Sequence, residues 1–509
     1  MRMGTRLGRV VVLAVACAVG AAALGFVDQA RGATIGANDD TAKYMADGGA
    51  AYFRQMAAVG LRRVVLTVRF DPADPTRIAD QDLLDAAVSN AVAAGLEVAF
   101  TTYPYPPREV QAGMSSPAAF ASWLTSVAER YPQVRQFVVM NEPNQPAFLR
   151  PQFAEDGLNA SAATVGAYLA AAYDALKGVD PSITVIGVGL SPRGNDDPYA
   201  PSNVSTSPIR FLAALGRWYR ASGRTAPLMD AFDFHPYPEQ ATDPLAKGYS
   251  WPDAGFVNLD RIKQALWDAF AGTAQPTTVD GLKLYLDEVG WQVDTSSEPG
   301  YTGVENVPVT DEATQAAIYG DLVRDSACDP DIAAVSFFGF YDDGLRTGFQ
   351  SGLYRADGTP RPSAAAVQQA ISDTEVAGCT GIPVSWTPAT GVEGASASGA
   401  TFDTGGGDVA YGAPLTLTVT ADVAEGATVS AALERAGPRP SILSRLLQRT
   451  RAPVAVSSTV EAVPVRRARL TLSVPSGLPR GRYVVAVRFA AEANPQRTTI
   501  VLGRSFTVR

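Results

Sequence analysis

Histidine and cysteine are nearly absent from this chain of 509 residues, which contains one histidine, His235, and three cysteines. A zinc site made of cysteine and histidine ligands is therefore almost excluded, because such sites need three or four of these side chains. A Ser-His-Asp triad is open only if His235 is its base. We predict no metal site and no cofactor.

Positive charge is also in short supply, since the formal net charge is −9 and the pI is about 4.9. This balance argues against nucleic acid as the main partner. Apolar residues make up 46% of the chain and charged residues 18%, so the chain can bury a large core. Its length suits two or three domains.

Long hydrophobic runs are missing except for Val10–Phe26 near the N-terminus. Three arginines precede this run, and Ala30 and Ala33 follow it at the spacing of a cleavage site. The run is short for a membrane span. The pattern predicts a signal peptide over residues 1–33 and a secreted protein, with an uncleaved anchor as the alternative.

Cleavage of the signal peptide would remove Cys17 and leave the pair Cys328 and Cys379. An even pair in an exported protein predicts a disulfide. Two separate buried thiols are the alternative.

Charge divides the rest of the chain in two. Residues 383–509 contain fourteen arginines, no lysine and eight acidic residues, a net charge of +6, whereas residues 34–382 carry −18. After Cys379 the composition also shifts towards Gly, Thr, Ser, Val and Arg. These differences predict two modules with different surfaces.

Residues 34–382 repeat one pattern eight times: a short apolar strand, a loop and an amphipathic helix. Parallel strands need helical crossovers, and eight such units close a cylinder, so we predict a (β/α)8 TIM barrel. An open doubly wound sheet would need a glycine-rich turn after the first strand, and Ile35-Gly36-Ala37-Asn38 is no such turn. The predicted strands are Thr34–Ala37, Arg63–Phe70, Glu97–Thr102, Gln136–Met140, Thr184–Val188, Ala231–His235, Lys283–Asp287 and Ala334–Phe340.

Several loops that lead from a strand to a helix are long, notably 189–207, 236–257 and 291–309. In a barrel these loops surround the C-terminal face, where active sites lie. They are rich in aromatic residues, whose rings stack on the apolar faces of sugars. The loops therefore favour a neutral carbohydrate as the partner, although each aromatic residue alone could simply pack within its loop.

A glutamate follows each of two apolar strands. The fourth strand ends in Asn141-Glu142-Pro143-Asn144, and the seventh ends in Asp287-Glu288-Val289-Gly290-Trp291. A carboxylate at the end of an apolar strand is costly to desolvate unless it has partners or a task. Two carboxylates across one barrel mouth form the pair that glycosidic cleavage needs, and for retention they should lie about 5 Å apart.

These motifs resemble clan A of the retaining glycoside hydrolases, with families 5 and 39 the most similar, over roughly residues 34–382. The resemblance implies that Glu142 is the acid/base and Glu288 the nucleophile. The eighth strand lacks the clan's usual tryptophan, for which Phe338 or Phe340 could substitute, and this leaves the family and the sugar open. The remaining residues implied by the resemblance are Asn141 at the sugar 2-hydroxyl, Arg69 as support for the nucleophile, His235 and Tyr237 beside it, and Trp291 at the subsite wall.

The resemblance implies an enzyme that cleaves a β-linked glucan, mannan or xylan with retention. In the free protein we expect Glu288 to be ionised, held by Arg69 and a tyrosine hydroxyl, and Glu142 to be protonated. Two alternatives stay open. One is a carbohydrate-binding or cell-envelope protein that no longer cleaves, and the other is a transglycosylase that uses the same glutamates.

Residues 383–509 alternate apolar and polar side chains, as in Leu415, Leu417 and Val419, with Pro/Gly turns between the runs. This pattern predicts a small all-β immunoglobulin-like sandwich. The segment 435–451 combines arginines with Ile442, Leu443 and two further leucines. It predicts either a basic amphipathic helix that touches an anionic cell-envelope polymer or a solvated hairpin extension.

Overall fold

A computed structural model of the chain describes residues 32–392 without a break, and then 395–402, 408–409, 415–423, 427–435, 457–459, 467–474, 478–492 and 494–509. The predicted signal peptide lies almost wholly outside the described residues. Most of the basic segment 435–451 lies outside them as well.

Eight parallel strands form a closed barrel in the order β1 to β8, with β8 pairing back onto β1. The predicted TIM barrel is thus confirmed, and each predicted strand agrees with an observed strand to within two residues at either end. The strands are β1 (Thr34–Asn38), β2 (Arg63–Phe70), β3 (Glu97–Pro104), β4 (Gln136–Val139), β5 (Thr184–Leu190), β6 (Ala231–Phe234), β7 (Lys283–Val289) and β8 (Ile332–Phe338).

The helices between the strands cover the outside of the barrel with their apolar faces. In α2, for example, Leu84, Ala87, Val88 and Ala91 are buried, at the three- and four-residue spacing that the sequence predicts. The helices are α1 (Ala50–Val59), α2 (Gln81–Ala93), α3 (Pro107–Gln111), α4 (Pro117–Arg130), α5 (Ser161–Val179), α6 (Pro208–Ser222), α7 (Leu259–Phe270), α8 (Glu312–Ser326) and α9 (Pro362–Ala377).

A disulfide joins Cys328, in the turn before β8, to Cys379, just beyond the end of α9. This confirms the predicted bridge and excludes the alternative of two free thiols. Because Cys328 precedes its strand, the bridge lies at the barrel end opposite the loops that follow the strands. It fastens the last helix of the barrel to the base of the last strand.

Among the residues described beyond the barrel, eight further strands form two separate sheets, one of five strands in the order β10-β16-β15-β12-β13 and one of three in the order β14-β11-β9. Apart from the parallel pair β10 and β16, neighbouring strands are antiparallel. A barrel followed by an all-β region is thus confirmed, whereas the immunoglobulin-like character stays a prediction. The strands are β9 (Ser396–Phe402), β10 (Asp408–Val409), β11 (Leu415–Asp422), β12 (Ala427–Arg435), β13 (Ser457–Thr459), β14 (Arg467–Val474), β15 (Gly481–Ala491) and β16 (Thr498–Val508).

The β region has its own apolar core, to which Val429, Leu433, Leu472 and Phe489 contribute buried side chains. It also contacts the barrel, since Arg497 forms a buried ion pair with Asp268 of α7 over 2.8 Å. Within the described part of the chain, no helix is long and apolar enough to cross a membrane.

Candidate active site

Glu142 lies in the turn that follows β4, at the C-terminal mouth of the barrel. Its φ of +38° is in the left-handed region, which a residue other than glycine seldom adopts without a reason. The backbone N–H of Glu142 donates to the carbonyl of Gly189, at the end of β5, over 2.7 Å. The turn therefore fixes the glutamate against the neighbouring strand and not only against its own.

Glu288 lies within β7, across the mouth from Glu142. One carboxylate oxygen of each glutamate and a ring nitrogen of His235 all lie within 4.8 Å of one another. The two acidic side chains are 146 positions apart in the sequence, yet the barrel brings them together at one point. This is the arrangement that the sequence predicted for the pair.

Glu288 is held by two neighbouring side chains. The hydroxyl of Tyr237 donates to Oε2 of Glu288 over 3.0 Å, and the amide of Asn38 donates to Oε1 over 3.4 Å. Burial raises the pKa of Glu288 to about 7, the charge of Glu142 adds to this, and His235 and the Tyr237 hydroxyl oppose it. This upward shift runs against our expectation that Glu288 is ionised in the free protein.

His235 lies between the two glutamates at the end of β6. Burial opposes a charge on its ring, but the carboxylates of Glu288 and Asp233 together raise its pKa well above the usual value. As an imidazolium, His235 donates from Nδ1 to Oε1 of Glu142 and from Nε2 to Oδ2 of Asp233, each over 3.2 Å. Its Nδ1 is also 3.6 Å from Oε2 of Glu288, so one cation faces both carboxylates.

Arg69 was expected to support Glu288, and the structure does not bring it there. Its guanidinium lies over the ring of Tyr105, 5.1 Å from the ring centroid, on an exposed part of the rim. The arginine inside the barrel is Arg63, six residues earlier on the same strand, which is fully buried. Arg63 forms a two-point ion pair with Asp287, the residue next to Glu288, with Nη2 3.0 Å from Oδ2.

Trp291 was expected at the subsite wall, and this expectation is wrong. Only 2% of its surface is exposed. Its indole N–H donates to the carbonyl of Asp243 over 2.8 Å, and its ring packs against Tyr319. Trp291 therefore supports the loop from beneath and offers no face to a bound molecule.

An open cleft of about 1030 Å³ surrounds the two glutamates. Asn141, Tyr237, Glu142 and Glu288 line it, while His235 is buried directly behind them. The place of Asn141 in the cleft agrees with the expected contact to a sugar hydroxyl, which stays a prediction.

Two aromatic groups form facing parts of the cleft wall. Tyr103 and Phe148 are in edge-to-face contact on one side. The other side consists of a mutually packed cluster of Tyr237, Phe338 and Phe349. Of the two phenylalanines considered as substitutes for the clan's tryptophan, Phe338 lines the cleft, whereas its neighbour at position 340 is fully buried.

Several residues of the site were missed from the sequence. Asn38 ends β1, Asp233 lies within β6, and Asp287 directly precedes Glu288. Each is a polar residue in or beside an apolar strand near the C-terminal face, which is the signal that identified the glutamates. The sequence pattern could not separate a residue that contacts Glu288 from one that is buried behind it.

Glu142, His235 and Glu288 are also close enough to share one metal ion. A histidine must be neutral to bind a metal, because the protonated ring has no free lone pair. In the structure Nδ1 of His235 instead contacts Oε1 of Glu142 directly, over 3.2 Å. The three side chains fit a hydrogen-bonded acid-base site better than a metal centre.

The chain matches no protein-family model, and no curated protein sequence matches it. Clan A glycoside hydrolases are among the solved structures to which it is similar. One is a family 39 glycoside hydrolase from the gut symbiont Bacteroides cellulosilyticus WH2, at 15% identity over 88% of this chain and 80% of that chain, with a TM-score of 0.47.

A family 5 glycoside hydrolase from Streptomyces cattleya, solved with Manβ1-4GlcNAc, is 15% identical over 75% of this chain and 86% of that chain, with a TM-score of 0.45. A family 1 β-glucosidase from Thermotoga maritima is 9% identical over 68% of this chain and 98% of that chain, also with a TM-score of 0.45.

Proposed function

We propose that this protein is a retaining glycoside hydrolase that cleaves a β-linked poly- or oligosaccharide by double displacement. The observation that carries the proposal is the separation of at most 4.8 Å between carboxylate oxygens of Glu142 and Glu288. Retaining enzymes hold their carboxyl groups about 5 Å apart, whereas inverting enzymes need roughly 6.5–9.5 Å to admit a water molecule. The short separation of the pair therefore favours retention over inversion.

In the first step Glu288 attacks the anomeric carbon, and the bond from that carbon to the leaving oxygen breaks. Glu142 gives its proton to the leaving oxygen, so that the alcohol departs neutral. The sugar is then joined to Glu288 through an ester bond. Because Glu288 must be ionised to attack, the reactive form of the pair has its proton on Glu142.

In the second step a water molecule attacks the same carbon from the side that the leaving group vacated. Glu142, now a carboxylate, takes the proton of the water, and Glu288 departs as a carboxylate. Two inversions restore the original configuration at the anomeric carbon.

His235 and Tyr237 adjust the charge of the pair during these steps. The imidazolium of His235 donates to Glu142 and lies near Glu288, and its charge favours the ionised form of Glu288. Tyr237 donates only to Glu288, and in this place it lowers the pKa of the attacking group. Neither side chain needs to move a proton itself.

The walls of the cleft suit a sugar. The two aromatic groups offer ring faces and edges to apolar C–H surfaces, and Asn141 and Gln145 offer amide groups to hydroxyls. Export and association with the cell envelope belong to the proposal as well. They are supported by the signal-peptide pattern of residues 1–33 and by the basic composition of residues 383–509.

A panel of aryl β-glycosides and of β-linked glucan, mannan and xylan tests the activity, with the first product followed by proton NMR. We expect a product with the configuration of the substrate. A product of inverted configuration would contradict the proposal, and affinity without products would favour a binding protein. New glycosidic bonds to an added acceptor sugar would favour the transglycosylase. EDTA is expected to leave the rate unchanged.

The cell-envelope partner needs a separate test. Deletion of residues 436–452 removes the basic segment, and retention of the protein on purified cell envelopes is then compared with that of the full chain. We expect retention to fall. Unchanged retention would end this part of the proposal without affecting the catalytic part.

A further inference from the structure

The loop between β5 and α6 is fastened to the turn that carries Glu142. The buried amide of Asn144 donates to the carbonyls of Ser191 and Thr206 over 3.1 and 2.9 Å, and its oxygen accepts the N–H of Ser191 over 3.0 Å. The backbone N–H of Thr206 in turn donates to the carbonyl of Asn144 over 2.9 Å. Both ends of the loop are therefore fixed two residues from the catalytic glutamate.

The beginning and the end of this loop also contact each other. Gly194 lies so near the backbone of Thr206 and Ser207 that a Cβ atom there would be 2.1–2.4 Å from it, which only glycine permits. The side-chain oxygen of Asn195 accepts the N–H of Ser205, and its amide donates to the carbonyl of Asn203. The tip of the loop is thus pre-organised, so that a bound molecule would have little ordering entropy to overcome.

A second depression, of about 490 Å³, lies on the far side of this loop. It is formed between the loop and the segment that follows Glu142, and Phe153, Arg150, Glu155 and Tyr199 are among its lining residues. Asn203 lines both this depression and the catalytic cleft. The two hollows therefore share one wall residue and lie next to each other.

Tyr199 is the most exposed aromatic residue in the described part of the chain, with 79% of its surface open to solvent. Its hydroxyl would be 3.9 Å from a Cβ atom at Gly157, so its side chain reaches across to the segment on the other side of the depression. Exposure of a large aromatic ring costs free energy because its apolar surface stays hydrated. The solvent-exposed ring of Tyr199, beside a depression lined by polar residues, is a suitable stacking surface for a sugar.

We propose that this depression is a distal sugar-binding subsite, in which Tyr199 stacks on a ring of the same saccharide chain that is cleaved between Glu142 and Glu288. The inference rests on the proposed function and extends it, since it assigns the enzyme a substrate of several sugar units. Arg150 and Glu155 supply charges of opposite sign and Gln111 an amide. This mixture suits the hydroxyls of a neutral sugar better than the carboxylate of an acidic one.

The test compares substrates of two lengths. The probes are aryl β-glycosides, which fill only the catalytic cleft, and the disaccharides and hexasaccharides of the β-1,4-linked gluco, manno and xylo series. For Tyr199→Ala we expect kcat/KM on the preferred hexasaccharide to fall roughly 2- to 12-fold, the range for loss of one aromatic stacking contact. The kcat/KM on the aryl glycoside should stay within about twofold of wild type, since surface substitutions away from a site have small effects.

Two variants serve as controls. Tyr199→Phe keeps the ring and should retain the preference for the longer substrate. Tyr44→Ala removes another tyrosine that is 59% exposed but follows β1, opposite β5 in the barrel, and it should change neither rate. Equal losses on short and long substrates, or an unchanged preference in Tyr199→Ala, would overturn the subsite.

Failure of the proposed glycosidase activity can be distinguished from failure of the subsite. If the wild-type protein turned over none of the probes, calorimetric titration with the hexasaccharides would still measure the subsite through the affinity lost in Tyr199→Ala. Measurable affinity that this substitution leaves unchanged would overturn the inference in that case too. No affinity of the wild-type protein for any hexasaccharide would overturn both proposals together.

Discussion

The hydroxyl of Tyr237 donates a hydrogen bond to Oε2 of Glu288 over 3.0 Å. This bond favours the ionised carboxylate and so opposes the effect of burial, which raises the pKa of Glu288 to about 7. The proposed mechanism needs the ionised form. This hydrogen bond therefore contributes, beside burial and the charges of His235 and Glu142, to the pH at which Glu288 titrates.

Tyr237→Phe removes the donor, and the pKa of Glu288 should then rise above about 7. A carboxyl with a higher pKa becomes protonated at a higher pH, so the acidic limb of the kcat/KM profile should move to higher pH. At neutral pH the rate should fall about 10- to 100-fold, because hydrogen bonds to charged groups contribute about 1.5–3 kcal/mol. Measurement of kcat/KM on an aryl glycoside across the pH range checks both effects.

Tyr249→Phe is the matched control, because that hydroxyl donates to the carbonyl of Tyr237 over 3.1 Å and not to Glu288. Its acidic limb should stay where it is in the wild type. If the limb of Tyr237→Phe also stayed in place, Glu288 would not be the group that titrates there.

Substitution of each glutamate separates the two proposed roles. Glu288→Gln should abolish turnover, because the amide cannot form the ester intermediate. Glu142→Ala should lower kcat by about 10²–10⁴ as the acid-base function is lost. Added azide should restore part of that activity and give a glycosyl azide of retained configuration, since a small anion can replace the deprotonated water.

Glu97→Gln is a suitable control for the pair, since Glu97 is at the opposite end of the barrel, at the start of β3. Its activity should equal that of the wild type. Full activity in Glu288→Gln or in Glu142→Ala would refute the role given to that residue.

Arg63 and Arg69 differ in what they are expected to do, although both belong to β2. Arg63→Met would leave Asp287 buried without its cation, which should lower the free energy of unfolding by about 3–5 kcal/mol. Arg69→Met removes an exposed group and should change that free energy by no more than about 0.5 kcal/mol. Denaturant unfolding and aryl-glycoside kinetics measure the two properties separately. Loss of turnover in a stably folded Arg69→Met would return the nucleophile-supporting role to Arg69.

The disulfide between Cys328 and Cys379 should affect stability and not catalysis. It bridges a sequence separation of 51 residues, and chain-entropy reasoning gives such a bridge up to about 4 kcal/mol. The double variant Cys328→Ser/Cys379→Ser should therefore unfold at lower urea concentration while its kcat at room temperature is unchanged. Wild-type protein in a reductant should behave in the same way, and a large loss of kcat in either would show that the bridge acts on the cleft.

The positions of the strands and of the two glutamates could be predicted from the sequence because they depend on local pattern. A run of apolar residues between amphipathic helices predicts a buried parallel strand wherever it occurs. Glu142 lies three residues beyond the end of β4, and Glu288 is the last residue but one of β7. In a parallel barrel the C-terminal ends of all the strands lie at one face. Their convergence therefore followed from the register of eight repeated units.

Arg69 and Trp291 could not be placed in the same way. Arg63 and Arg69 are six residues apart on β2, so their side chains leave the same face of the strand. They differ only in their position along the barrel axis. At about 3.3 Å per residue they lie roughly 20 Å apart along the strand, which is the difference between the interior and the rim. Whether the Trp291 side chain lines the cleft or is buried depends on the conformation of the loop that follows β7. The local sequence does not specify that conformation.

The amino-acid sequence by itself determined that this chain would form a barrel of eight strands with an acidic pair at its mouth, since hydrophobic periodicity and strand ends are properties of neighbouring residues. Only the tertiary structure decided which arginine is buried, which aromatic rings line the cleft and how much burial raises the pKa of Glu288. Those properties depend on distances between segments far apart in the chain. Such distances are set by how strands stagger and loops fold, and no short stretch of sequence contains them.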